Sequence, residues 1–182
     1  MNFFFGINEK NIKSKISIPK FQCTGLQDNK IKLFSATIKN SRWEVIKEFS
    51  EESNNFFTIN SDKIDNEKIF FLAHENEVKN YLIENEGKIL KDINKFTNTA
   101  PSYRCNLRIF ADNLGYSSYQ SDYPFKMINK NGNILSSLYL LTNKKADKNY
   151  ILLRNIFHEP IIENFILYIV DINQKKVLLQ KK

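Results

Sequence analysis

The chain has 182 residues, of which 42% are hydrophobic and 13% aromatic, a size and composition typical of a single folded domain over residues 1–182. With 5 glycines, 4 prolines and 2 cysteines, collagen-like, low-complexity and disulfide-stapled chains are excluded. The 27 basic and 20 acidic side chains leave a net charge of +7, which raises the question of a polyanionic partner.

Short apolar runs with period-two alternation, separated by Asn, Asp, Gly and Ser, predict β-strands along most of the chain. In chain order these strands are Ile12–Ile18, Ile31–Ile38, Trp43–Phe49, Phe56–Ile59, Ile69–Ala73, Tyr81–Glu84, Lys88–Lys91, Arg104–Phe110, Phe125–Ile128, Ile134–Leu141, Tyr150–Phe157, Phe165–Asp171 and Lys176–Gln180. Turn chemistry at Glu86-Gly87, at Asn131-Gly132 and over 171–175 predicts hairpins. The pattern favours an all-β fold, an antiparallel β-sandwich or partly open barrel.

Two segments allow a second interpretation. Ser41 and Glu44 have the spacing of a helix capping box, although we favour a strand over 43–49. Apolar residues from Val78 to Phe96 recur at helical spacing, but Gly87 falls inside the run, so helix and hairpin are about equally supported there. A helix near 76–96 would make the fold α+β.

The basic charge is weak support for nucleic-acid binding. Only four of the basic residues are arginines, the side chain that reads phosphate and guanine through paired hydrogen bonds. The lysines are dispersed among acidic neighbours, and the abundance of Lys, Asn and Ile is typical of an A+T-rich genome. We therefore expect at most a weak nucleic-acid binder.

No targeting or membrane-spanning segment is predicted. The apolar N-terminal stretch ends at Glu9 and is too short for a signal peptide, and the longest uninterrupted apolar run covers only 165–170. Cys23 and Cys105 lie in no metal-ligand or CxxC motif, so two reduced thiols are expected. These features favour a cytoplasmic protein.

Few residues suggest catalysis. The sequence has 2 histidines and no nucleophile-elbow, phosphate-loop, dinucleotide or zinc-protease motif, so no metal and no cofactor is predicted. Alternation places Cys105 on the apolar side of its strand, where thiols serve as packing groups. The alternative is an enzyme with a dispersed site around His158, Glu159 and Arg154.

One segment has the composition of a recognition loop. From Tyr116 to Tyr123 the chain has three tyrosines among small hydrogen-bonding residues, and tyrosine offers large contact area at low entropic cost. Just upstream, alternate strand residues place polar groups on one face. The predicted ligand-binding residues are Arg104, Asn106, Arg108, Tyr116, Tyr119, Gln120 and Tyr123. Alternatively, the tyrosines pack the sheet edge and the arginines pair with Asp112 or Asp122.

We therefore expect a non-catalytic binding or assembly module that recognises a glycan or a protein surface through this Tyr/Ser/Arg-rich face. Nearly continuous apolar runs at 138–141, 151–153 and 165–170 exceed what a half-exposed sheet needs. They indicate central strands, or a homo-oligomer formed through the C-terminal strands.

Overall fold

The computed structural model describes residues 2–20, 31–40, 42–48, 51–52, 55–84, 105–111, 116–121, 123–124, 143, 145–146, 164 and 166–182. These residues form antiparallel strands, one α-helix and one 3-10 turn. The strands are β1 (Asn2–Phe3), β2 (Asn8–Glu9), β3 (Ile12–Pro19), β4 (Ile31–Lys39), β5 (Arg42–Lys47), β6 (Glu51–Glu52), β7 (Phe56–Ile59), β8 (Ile69–His74), β9 (Cys105–Phe110), β10 (Tyr116–Ser121), β11 (Tyr123–Pro124), β12 (Leu167–Asp171) and β13 (Lys176–Lys181). The 3-10 turn is Ser61–Lys63 and helix α1 is Glu75–Glu84. The all-β prediction is confirmed.

Two larger sheets organise the described part of the chain. The first has the order β10-β9-β3-β7-β6, with β2 paired to the start of β3. The second has the order β5-β4-β8. Two further pairs, β1-β11 and β12-β13, form two-stranded sheets, and none of the sheets seen in these ranges closes into a barrel.

The two larger sheets share one hydrophobic core. Their strands contribute alternate apolar residues, as expected when one face of each sheet is buried. The cluster consists of Phe4, Ile16, Ile18, Ile31, Leu33, Phe57, Ile59, Ile64, Phe70, Leu72, Cys105 and Leu107, with Ile109 packed against it. The strands predicted at 12–18, 31–38, 56–59 and 69–73 are confirmed and supply most of this core.

Strands β4 and β8 of the three-stranded sheet are largely buried on both faces. Phe34 and Phe71 occupy the face opposite the shared core, pair across β4 and β8, and stack with ring centroids 5.7 Å apart. Ala36 and Ile69 continue this second face and are also buried. Burial on both faces explains why β8 is an unbroken apolar run, because neither side of the strand meets water.

Two turns follow from side-chain chemistry. Asn40 has φ 51° between β4 and β5, a left-handed conformation that asparagine tolerates better than most residues. At the β12-β13 turn, the Asp171 carboxylate accepts hydrogen bonds from the backbone N–H groups of Asn173 and Gln174 at 2.9 and 3.0 Å. Lys175 then closes the turn at φ 50°. The hairpin predicted over 171–175 is confirmed.

Some local predictions are wrong. Near 76–96 the helix alternative is confirmed as far as residue 84: Tyr81–Glu84 is the last turn of helix α1, not a strand, and α1 starts at Glu75. Residues 85–96 lie outside the described residues. The helix begins with acidic residues that favour its N-terminus, and Glu75 pairs with Lys79 one turn later at 3.2 Å. Over 43–47 the strand interpretation is confirmed. The strands predicted at 88–91, 125–128, 134–141 and 150–157, and the turns at 86–87 and 131–132, lie outside the described residues.

Candidate functional site

Strand β9 divides its side chains between the core and the surface. Cys105 and Leu107 are each 1% exposed, whereas the alternate residues Asn106 and Arg108 are exposed. The predicted alternation is therefore confirmed. Cys105 is a buried free thiol packed in the hydrophobic core, a setting in which thiols behave as apolar groups.

Lysines of strand β3 lie beside the exposed residues of β9 on the same side of the sheet. Lys15 lies directly opposite Arg108, Ser17 lies opposite Asn106, and Lys13 lies opposite Phe110. We call Lys13, Lys15, Ser17, Asn106 and Arg108 the basic face. These five residues alternate with core residues along their strands, so they share the outer side of the sheet.

Sequence reasoning missed the β3 contribution. The polar positions of the first strand, Lys13, Lys15 and Ser17, were visible in its alternation, because the intervening Ser14, Ile16 and Ile18 are buried. What the sequence did not show was that β3 pairs with a strand far along the chain. That pairing turns two dispersed lysines and one arginine into a cluster.

The tyrosine-rich segment is a strand, so its interpretation as a recognition loop is wrong. Strand β10 pairs with β9 and places Tyr116 opposite Phe110, Tyr119 opposite Leu107, and Gln120 opposite Asn106. Positions 116 and 120 therefore lie opposite β9 residues whose side chains are on the same side of the sheet as the basic face. Position 119 lies opposite Leu107, whose side chain is in the core.

The other two predicted ligand residues lie elsewhere. Tyr123 belongs to β11 and pairs with Phe3 of β1, in a different sheet. Arg104 lies outside the described residues, as do Asp112 and Asp122, the partners proposed for the arginines.

An exposed aromatic ring lies on the same side of the sheet as the basic face, beyond its Ser17 end. Strand β7 places Thr58 opposite Ser17 and Phe56 opposite Pro19. The Phe56 side chain is 42% exposed. The basic face is thus flanked by Phe110 along β9 on one side and by Phe56 on the other, over about 20 Å of strand length at roughly 3.3 Å per residue.

The register of β3 and β9 places two positive charges directly opposite each other. Like charges directly opposite each other on neighbouring strands destabilise a sheet by some tenths of a kcal/mol or more, and Lys15 and Arg108 hold such positions. None of the β3–β9 pairs on this face contains an acidic residue. Among the strands paired across the basic face, an acidic residue occurs at Glu51 of β6, which lies opposite Thr58 of β7; Thr58 in turn lies opposite Ser17.

A polar cleft of about 650 Å³ lies beside the 3-10 turn, lined by Asn8, Glu48, Asp62, Lys63, Ile64, Asp65, Asn66 and Lys68. Glu48 accepts a 2.6 Å hydrogen bond from the buried Ser35 hydroxyl and pairs with Lys68 at 3.6 Å. The Asn66 side-chain amide binds the backbone of Asn8: its Oδ1 accepts a 3.0 Å hydrogen bond from the N–H of Asn8, and its Nδ2 donates a 3.2 Å bond to the carbonyl of Asn8. These contacts tie β2, β4, the residue after β5 and the loop before β8 together, so Asn8, Glu48, Asn66 and Lys68 serve the fold.

Within the described ranges, no group of His, Cys, Asp or Glu side chains is arranged to hold a metal ion. The enzyme alternative cannot be placed, since His158, Glu159 and Arg154 lie outside these ranges, and it stays a prediction. Among the residues the structure describes, no helix has the length and hydrophobicity needed to cross a lipid bilayer. Comparisons with protein-family models, with curated proteins and with solved structures find no match for this chain.

Proposed function

We propose that the protein is a non-catalytic binding module and that its basic face binds an acidic glycan. The observation that carries this proposal is the register that sets Lys15 opposite Arg108, next to Lys13 and the Ser17–Asn106 pair. A ligand carboxylate or sulfate would accept hydrogen bonds from the cations, and such charge-assisted bonds are the stronger ones in proteins.

The placement of two cations directly opposite each other supports a binding role. Lys15 and Arg108 lie on neighbouring strands and on the same side of the sheet, so one bound anion could contact both side chains. A ligand that binds the folded chain in this way would also stabilise it.

The polar and aromatic neighbours favour a sugar over a simple anion. Ser17 and Asn106 provide hydroxyl and amide groups that match sugar hydroxyls in hydrogen-bonding capacity. The exposed ring of Phe56 offers an apolar surface at one end of the face, suited to the C–H faces of a sugar ring. A sheet face about 20 Å long accommodates an extended chain better than a compact ligand.

The test compares polymers of different charge and backbone. Binding of polygalacturonate, heparin, neutral dextran and single-stranded DNA is measured by titration calorimetry at several salt concentrations. We expect the acidic polysaccharides to bind and dextran not to bind. Equal binding of DNA, with a steep loss of affinity as salt rises, would identify a non-specific polyanion binder and contradict the proposal.

Charge-reversal variants locate the site. Lys15→Glu and Arg108→Glu are each expected to weaken polysaccharide binding about tenfold or more, equivalent to about 1.4 kcal/mol. Lys145→Glu is the matched control, because it changes the net charge equally at an exposed residue outside the basic face. If the control loses as much affinity as the two face variants, the net charge and not the face is responsible. A thermal melt of each variant checks that the fold is retained.

A further inference from the structure

The C-terminal hairpin, formed by β12 and β13, exposes far more apolar surface than the rest of the described chain. Nine large hydrophobic residues in the described ranges are more than 40% exposed, and seven of them lie between residues 166 and 179. The exposed fraction reaches 79% at Ile172 in the turn and 58% at Leu178 in β13. The hairpin strands pair only with each other among the strands described, and a two-stranded sheet is marginally stable in water.

The exposed residues are concentrated on one side of the hairpin. Ile166, Tyr168 and Val170 are about half exposed, whereas Leu167 and Ile169 between them are more buried. Across the hairpin, Val170 lies opposite Val177, and a register shift there inserts Leu178 as the extra residue. We call Ile166, Tyr168, Val170, Val177 and Leu178 the outer hairpin face. The solvent side of an antiparallel sheet is normally polar, and this one is not.

The size of the outer hairpin face fits a weak, reversible protein interface. At roughly 200 Å² for a fully exposed residue of this size, its five residues, which are 49–58% exposed, present about 500 Å² on one copy of the chain. Two such faces together would bury about 1,000 Å², which is about the lower limit for a specific interface and is typical of transient complexes. The face consists of four aliphatic residues and Tyr168, and an apolar patch of this kind can pack against a second copy of itself, as a two-fold interface requires.

Lysines protect the edge of the hairpin but not its face. If two copies paired edge to edge through antiparallel β13 strands, Lys176 of one copy would lie opposite Lys181 of the other. Charged residues at strand edges oppose this kind of pairing. Contact between the faces, with the lysines at the rim, avoids that direct apposition.

We propose that the outer hairpin face is an interface between two copies of this chain, which associate face to face as a symmetric dimer. The interface lies on a different sheet from the basic face. Because the rims of both copies are basic, salt would screen their repulsion and strengthen the dimer. An acidic partner or an anionic membrane would show the opposite salt dependence.

The test is sedimentation velocity of the full chain over a wide range of protein concentration and at low and high salt. We expect a monomer–dimer equilibrium that shifts toward the dimer as salt increases. Val170→Lys and Leu178→Lys are each expected to raise the dissociation constant about tenfold or more. Ile46→Lys is the matched control, because Ile46 is 45% exposed on another sheet, and it should leave the equilibrium unchanged.

Three results would overturn the proposal. The first is a chain that remains monomeric at all concentrations, including one that instead binds vesicles containing anionic lipid. The second is a dimer that weakens as salt increases. The third is a dimer that Val170→Lys and Leu178→Lys leave intact. Circular dichroism of each variant establishes that it is folded, so that loss of the dimer reports on the interface.

Discussion

The backbone at Gly6 approaches a buried hydroxyl so closely that the two positions should be energetically coupled. The Ser14 side chain is fully buried, and its Oγ accepts a 2.8 Å hydrogen bond from the N–H of Ile7 and donates a 3.0 Å bond to the carbonyl of Ile7. A Cβ atom built on Gly6 would lie 2.5 Å from this Oγ and 2.9 Å from two side-chain atoms of Ile64. Alanine at position 6 therefore displaces both neighbours.

The magnitudes follow from these contacts. Ser14→Ala removes both hydrogen bonds and leaves the N–H and carbonyl of Ile7 without their partner, at a cost of about 1–3 kcal/mol. Gly6→Ala overpacks the core, at a cost of about 1–3 kcal/mol. In the double variant the contact with Oγ no longer exists while the contact with Ile64 remains. The double variant should therefore cost less than the sum of the single variants, by about 0.5 kcal/mol or more.

The measurement is urea-induced unfolding of the wild type, both single variants and the double variant, followed by circular dichroism. Each kcal/mol lost should also lower the melting temperature by about 2–4 °C in a chain of this size. Additive single-variant effects would show that the Gly6 backbone and the Ser14 hydroxyl are not in contact, and the account of this corner of the core would be wrong.

Two further outcomes are expected. Leu107→Ala should cost about 2–5 kcal/mol because it opens a cavity in the shared core, whereas Arg108→Ala next to it should change the unfolding free energy by less than about 0.5 kcal/mol; the reverse order would contradict the alternation of β9. The hydrogen bond from Lys47, with a smaller contribution from Lys79, lowers the pKa of Glu75, so Glu75 stabilises the fold above its unfolded pKa and loses this effect as the pH falls through its folded pKa. Glu75→Gln should therefore be less stable than wild type at neutral pH and equal to it in strong acid. A stability difference that persists in acid would show that the ionised Glu75 carboxylate is not its cause. Glu77→Gln is the matched control.

The local sequence pattern was sufficient to predict a strand where one face of the strand is buried and the other is exposed to solvent. The alternation around Ile16 and around Leu107 predicted both strands and the inward or outward position of each residue, because the side-chain period of a strand is two residues. Local pattern failed at the two-residue strands β1, β2, β6 and β11, which are too short to show a period. It also failed at β10, where tyrosine and serine in a polar run resembled loop chemistry.

The candidate site shows the same division. Asn106 and Arg108 were predicted to lie side by side on the surface, and they do. Their partners on β3 come from a distant part of the chain, and no local pattern specifies which strands become neighbours. Position 119 was grouped with the ligand residues by composition, although the register of β10 with β9 places it in the row of Leu107.

From the amino-acid order alone, this protein's β class, its hairpin at 171–175, and the inward or outward position of residues along its longer strands were already determined, since each depends on neighbours within a few residues. Tertiary structure decided which strands pair. It thereby brought Lys13 and Lys15 next to Arg108, and it left the outer face of the C-terminal hairpin in contact with water. The physical reason is that strand pairing depends on contacts between distant segments and on the entropy of closing the chain between them, and neither is encoded in a local sequence pattern.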